Sequence, residues 1–399
     1  MNSRRKFIGT MATGFATTLA SQSVFGSNER IRLGLIGAGA RGMELLRWAA
    51  ACPNVDVGAI ADIYSKNLDA ARQAAPVAQA YSDYRRLLDD KSIDAVLIAT
   101  PPHLHCEHFV HSLEAGKHVY QERIMAFTLE HAKRMRAAHR GAPRLTVQVG
   151  HQSCSSGQMA DAARFVSSGQ VGKITAIHMR WFRNTPRGKP SWIRPVHPAM
   201  TAENVVWDAF LGEAPRCDFD ADRYINWRIY SDYSGGSVHE NLSQQLAFWY
   251  AALKLQVPEA VMMNGGVYLW KDGREVPDTM SVALQQREEM LITWDSGFGN
   301  NQLGVTEDVL GTDGTISRGQ AIRYVPQKVN RPDGAELLGR TITPPHTHLQ
   351  NFFDCIRLGR EPNCGFETGY RVSIACRMAL ESYRLGRTVR WDAAREEMV

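Results

Sequence analysis

Apolar and polar positions along the chain change their period near the middle, and the change divides it in two. Up to about residue 150, apolar runs of strand length alternate with segments of helical spacing. Ile31–Ile36 precedes a helix-like 43–51, Val55–Ala61 precedes 65–75, and 94–100 precedes 106–115. A short strand at 78–81, a short helix at 84–88 and a last strand at 145–150 fit the same alternation. Runs that are apolar throughout belong to strands buried on both faces, so this half predicts βαβ units in a doubly wound parallel sheet. From Lys173 the period becomes two. Strands over Ile174–Phe182, 260–264, 280–284, 290–294 and 322–325 predict an open sheet with two unlike faces.

The first strand runs directly into Gly37-x-Gly39-x-x-Gly42 and then into a helix. That context turns a common glycine pattern into a dinucleotide site. Gly37 allows a tight turn, Gly39 lets backbone approach a pyrophosphate, and Gly42 lets helix and strand pack, with free N–H groups of the helix start facing the phosphates. The second strand ends in Asp62, twenty residues after Gly42, where a carboxylate can bind both ribose hydroxyls. Asp62 would repel a 2′-phosphate and so favours NAD, while Lys66 nearby keeps NADP open. The fourth strand ends in Thr100-Pro-Pro-His-Leu-His105, at the carboxyl end of the sheet, where ligands of α/β folds bind. Arg41, Thr100, Pro101, His105 and Glu122 are the further cofactor candidates.

Composition narrows the partners. The chain of 399 residues is 44% apolar and 22% charged, ordinary for a globular protein of two domains. Its net charge of +5 is spread through mixed-sign runs, which speaks against nucleic acid. Seven cysteines without CxxC spacing indicate neither a zinc site nor a disulfide framework. No metal-ligand constellation and no nucleophile elbow stand out. At the N-terminus, Arg4-Arg5-Lys6-Phe7 precedes a mildly apolar stretch with small residues up to Gly26, the pattern of a twin-arginine export signal over 1–26. The stretch is too short and polar for stable membrane insertion. The expectation is a periplasmic or otherwise exported protein that meets the twin-arginine translocase and leaves the cytoplasm folded. A dinucleotide would then travel with it, tightly held and regenerated in place.

The glycine motif, the Thr-Pro-Pro-x-x-His turn, Ala115-Gly-Lys-His-Val119 and Glu122 three residues later occur in one order, and together they resemble the glucose-fructose oxidoreductase / inositol dehydrogenase / rhizopine-catabolism (Gfo/Idh/MocA) family. His348-Leu-Gln-Asn351 and Leu385-Gly-Arg-Thr-Val-Arg-Trp391 are similar to its closing segments. The resemblance implies an α/β fold: a Rossmann domain over 29–152, an α+β domain with a large open mostly antiparallel sheet over 153–345, and C-terminal helices over 346–399. It also implies a carbohydrate or cyclitol substrate, and a homodimer or homotetramer formed through one face of the second sheet.

The catalytic pattern departs from the family. Arg123 stands where the family has a lysine, and laying Gly235-Gly236 on the family's glycine pair puts Glu240 and Gln244 at its Asp and His positions. Arginine steadies an oxyanion but shuttles protons poorly. The substitute proton carriers are His239 and Glu240, with His151 entering from the end of the first domain. An aromatic- and arginine-rich excursion between the strands suits sugars, whose C–H faces lie on aromatic rings while their hydroxyls take hydrogen bonds. His151, Arg180, Trp181, Trp227, Arg228 and Tyr233 are the substrate candidates there, with packing as the plainer role for any one tryptophan. Three function classes stay open. They are an NAD(P)-dependent oxidoreductase of a sugar, cyclitol or glycoside hydroxyl; a redox-neutral NAD-dependent glycoside-cleaving enzyme; and a non-catalytic sugar-binding protein.

Overall fold

The structure, a computed structural model, describes residues 30–399; the predicted export signal lies outside the described residues. Strands β1 (Ile31–Ile36), β2 (Val55–Ala61), β3 (Gln79–Tyr81), β4 (Ala95–Ile98), β5 (His118–Gln121) and β6 (Val147–Val149) form one sheet in the order β3-β2-β1-β4-β5-β6. All of its pairings are parallel. Helices α1 (Ala40–Ala50), α2 (Ser65–Ala74), α3 (Tyr84–Asp89), α4 (His105–Glu114) and α5 (Leu129–Gly141) connect them. The order reverses between β1 and β4, which opens a crevice at their carboxyl ends.

Helix α6 (Gly157–Ser167) leads into a second sheet, built from β7 (Ile174–Phe182), β8 (Ala260–Gly266), β9 (Thr279–Gln286), β10 (Met290–Gly297), β11 (Val305–Gly311), β12 (Gly314–Arg318), β13 (Ala321–Pro326), β14 (Leu337–Thr341), β15 (Val389–Asp392) and β16 (Glu397–Met398). Its order is β14-β13-β12-β11-β7-β10-β9-β8-β15-β16. The β7–β10 pair is parallel and the other pairs are antiparallel. Ile177, Met179, Val282, Ile292 and Trp294 point inward and are buried with α9 (Ser243–Leu253) and α11 (Phe366–Leu385). The C-terminal segment holds more than helices. Helix α10 (His346–Leu358) buries Leu349, Phe352 and Phe353 against the first sheet, α11 crosses between the domains, and β15 then joins the second sheet beside β8. Two short helices, α7 (Trp207–Leu211) and α8 (Ala221–Ile225), lie in the excursion after β7. No helix among the described residues is long and apolar enough to cross a membrane.

Candidate active site

The three glycines between β1 and α1 do three different jobs. Gly37 has φ +91°, in the left-handed region that favours glycine. A Cβ on Gly42 would lie 1.9 Å from the Gly37 carbonyl oxygen, so α1 can start this close to β1 only without one. A Cβ on Gly39 would meet nothing within 4 Å. Open space therefore faces the first turn of α1, which has no side-chain cap and no acidic residue. Uncapped N–H groups before an empty approach fit the pyrophosphate of a dinucleotide.

From that loop a cavity of about 800 Å³ extends past Asp62, Tyr64, Asn67, Thr100 and Pro101 to Trp227 and Arg228. The carboxylate of Asp62 accepts hydrogen bonds from the N–H of Ala38 (2.6 Å) and of Tyr64 (2.8 Å), and each of its oxygens lies 3.2 Å from the Asn67 amide. Burial pushes its pKa up to about 6 against those donors.

The other wall of the cavity is a strap formed by the excursion after β7. Val205 forms a bridge with Tyr64, the N–H of Val206 donates to the Ile63 carbonyl (2.9 Å), and that of Ser65 donates to the Asn204 carbonyl (3.0 Å). His103 Nε2 donates to the Phe210 carbonyl at 2.7 Å. Glu213 accepts from Arg134 (2.8 Å) and pairs with His131 (3.1 Å). Apolar contacts of Tyr64 with Met200 and Val205, and of Phe210 with Tyr233, seal it. Sequence patterning missed the strap, because irregular backbone ties and scattered aromatic contacts leave no period to read.

At its far end the cavity meets Arg228, behind which further charged groups are gathered. Arg228 lies over the Trp227 ring (4.2 Å to its centre) and donates through Nε to Glu240 (2.9 Å). Glu240 sits in a widened turn of helix, Val238–Leu242, that runs into α9; such turns often mark functional positions. Burial acts to raise the Glu240 pKa, but Arg228 and Arg123 outweigh it and hold the group below the usual carboxylate range. Glu122 is buried behind Arg41, whose Nε and Nη2 approach one of its oxygens to 2.9 and 2.7 Å, so it braces the glycine loop. Arg123 makes only long contacts, 3.4 Å to Glu122 and 3.4 Å to Gln152, and its buried Nε has no hydrogen-bond partner.

The three proton-carrier candidates differ in freedom. His239 Nδ1 accepts the Gly235 N–H at 2.9 Å, which leaves its proton on Nε2 and no lone pair free to take another. Its ring edge lies against Phe127, 5.8 Å between centres. His151 is fully buried, and neither ring nitrogen has a partner. Burial, then the Arg123 charge, lowers its pKa to about 3, with Gln244 beside it acting the other way. The Gln244 side-chain oxygen is likewise buried without a partner.

Three sequence expectations need correction. His105 does not reach the cavity: its ring is buried between the carbonyls of Ile124 (2.7 Å) and Thr100 (2.8 Å), where it clamps the Thr-Pro turn to the segment carrying Arg123. Tyr233 is completely buried against His103 and Phe210, so no substrate touches it. Arg180 and Trp181 are neighbours on β7 and so face opposite ways. Trp181 packs toward the helices, while Arg180 stands on the uncovered face in register with Asp295 and Thr306.

Residues 31–151 match the family model described as the oxidoreductase family with NAD-binding Rossmann fold (GFO_IDH_MocA). Levoglucosan dehydrogenase of Pseudarthrobacter phenanthrenivorans is 29% identical over 212 residues, 49% of this chain and 51% of that protein. A glycosyl hydrolase family 109 protein of Stenotrophomonas maltophilia is 32% identical over 139 residues, 32% of this chain and 31% of that protein. The chain thus spans about half or less of these curated relatives. In three dimensions, the structure of a levoglucosan dehydrogenase in complex with NADH superposes with a TM-score of 0.72 at 19% identity, covering 90% of this chain and 99% of that one. At that identity the likeness is one of fold.

Proposed function

We propose, from the match of residues 31–151 to the NAD-binding Rossmann domain of the Gfo/Idh/MocA oxidoreductase family, that the chain is an NAD(P)-dependent oxidoreductase. Its substrate in this reading is a secondary hydroxyl of a sugar, cyclitol or glycoside. The observation that carries it is the cavity that runs from the open approach at Gly39 past Asp62 to Trp227 and Arg228, where Arg228 holds the ionised Glu240. An aromatic face beside a paired arginine and carboxylate suits a hydroxyl-bearing substrate.

Gly39 and the first turn of α1 would hold the pyrophosphate, Asp62 and Asn67 the adenosine ribose, and the strap would cover both. A bound nicotinamide supplies the hydride acceptor. Glu240, ionised and anchored by Arg228, orients the substrate hydroxyl. Glu240 also receives the hydroxyl proton in place of His239, and Arg123 donates to the developing oxyanion.

A second reading, redox-neutral cleavage of a glycoside with hydride returned to the same sugar, is favoured by the replaced lysine and histidine. The relative named as a glycosyl hydrolase points the same way. The first measurement is the dinucleotide released on denaturing protein purified without added cofactor. The second is turnover. Net NADH with sugars supports the oxidoreductase. Glycoside cleavage without net NADH, with solvent deuterium entering the sugar, supports the second reading, and tight sugar binding with neither leaves a binding protein. Arg123→Lys preserves charge but not the planar fork, so an unchanged rate removes Arg123 from the reaction. We further propose export by the twin-arginine route, and self-association through the uncovered face of the second sheet, where His178, Arg180, Thr293 and Asp295 stand.

A further inference from the structure

The tryptophans of the aromatic excursion part company in the fold. Trp207 stacks on Phe210 inside the strap (4.9 Å, 16°), and Trp227 is covered by Arg228. Trp192, from the same excursion, and Trp270, from the loop between β8 and β9, instead both pack on Phe298. The ring centres lie 5.4 Å (72°) and 5.2 Å (38°) from that of Phe298. Phe298 is buried, whereas both indoles are half-buried.

Two details say that this arrangement is not simple core filling. Trp192 has φ +70°, a left-handed backbone that a bulky residue seldom adopts and that costs about 1–3 kcal/mol where it occurs. It is secured by Arg274, which donates to the Ser191 carbonyl at 3.2 Å and lies over the Trp270 ring at 4.3 Å. Arg274 is itself buried, forked onto Asp272, and its Nη1 has no hydrogen-bond partner. Arg274 thus holds the two half-buried indoles in place, and their open surface offers an aromatic face.

The shelf is tied to the reacting end: Arg194, two residues after Trp192, lines the dinucleotide cavity beside Arg228. Phe298 follows β10, whose Gly297 carbonyl accepts the Arg183 N–H at 3.0 Å and whose Ser296 hydroxyl lies 3.3 Å from that of Ser237, three residues before Glu240.

We infer that Trp192 and Trp270 form a stacking subsite for a second sugar ring, so that the substrate is a disaccharide or longer glycoside. The inference rests on the reading of the site as one for sugars. A sugar unit joined to the reacting one lays its C–H face on the indoles, and the glycosidic bond lies between the two positions.

The test uses the full chain loaded with NAD. Cellobiose, maltose and lactose are compared with methyl glucoside and methyl galactoside for calorimetric binding and for turnover, read as NADH formation and as glycoside cleavage. Disaccharides are expected to be preferred, and Trp192→Ala and Trp270→Ala to erase about tenfold of that preference while leaving the methyl glycosides and the dinucleotide content unchanged. Trp192→Phe and Trp270→Phe should retain most of it, which separates stacking from misfolding. Methyl glycosides handled as well as disaccharides, or a loss equal on both, overturns the shelf alone. Failure of every sugar to bind or react overturns the functional reading and the shelf together.

Discussion

Two glycines of one loop should fail in opposite ways when given a methyl group. In Gly42→Ala the new Cβ would sit 1.9 Å from the Gly37 carbonyl oxygen, about 1.4 Å inside the 3.3 Å at which a carbon and a carbonyl oxygen ordinarily meet. Both partners are backbone, so α1 must lift from β1 and disturb Leu45, Leu46 and Ala49, which are buried beneath it. A loss of about 3 kcal/mol follows, which lowers the melting temperature by about 5 °C. In Gly39→Ala the Cβ meets no atom, and the backbone at φ −67° and ψ −172° suits alanine. Stability without cofactor should hold or rise by about 0.5 kcal/mol. The methyl would instead occupy the approach of the pyrophosphate and cost about 2–3 kcal/mol of charge-assisted hydrogen bonding, about 30- to 150-fold in NAD affinity. Thermal melts with and without NAD, together with calorimetric titration, read both quantities on the same samples. Wild-type NAD affinity in Gly39→Ala would refute the phosphate cradle. An unchanged melt in Gly42→Ala would refute the packing argument.

Other consequences can be checked in parallel. Asp62→Ala should weaken NAD binding and relax discrimination against NADP, while the unpaired N–H groups of Ala38 and Tyr64 cost about 1–3 kcal/mol of stability; an unchanged NAD-to-NADP affinity ratio sinks the ribose assignment. Glu213→Ala, by releasing the strap from Arg134 and His131, should speed NAD release about fivefold in stopped-flow fluorescence, and an unaltered rate means that the strap does not gate exchange. Burial holds His103 and His348 at about 4, and His108, His151 and His239 at about 3, all below their ordinary 6.5. Histidines depressed in the fold contribute stability that is present above pH 6.5 and lost as pH falls toward those values. Asp62, raised to about 6 from 3.8, acts in the opposite sense between those two pH values. Urea unfolding should therefore show the chain less stable at pH 5 than at pH 7 by at least about 2 kcal/mol, the contribution of a single such histidine; equal stability contradicts the buried neutral rings.

The first sheet was legible because its strands are apolar on both faces and its glycines have one geometric use each. The second was harder. β11 was missed because its inner face carries Glu307, a buried carboxylate that alternation reads as outward; Arg318, Trp249 and Gln245 bond to it and make that burial tolerable. The face of Arg180 could have been read from the period of two, since it cannot share a side with Trp181. His151 could be flagged but not weighed, because a lone imidazole shows its place only through its burial and its neighbours. The strap and the Trp192–Trp270 shelf join loops far apart in the chain, and no local pattern announces such meetings.

The strap also sets an order of events. Its residues arrive more than a hundred positions after the groove they cover, and they grip the first domain at Ile63, Ser65, His103 and His131 rather than at the glycine loop. A dinucleotide already seated when the strap docks is enclosed by chain on both sides. One that comes later must wait for a segment to peel away. How long a dinucleotide stays then depends on the opening of the protein as much as on the strength of its own contacts.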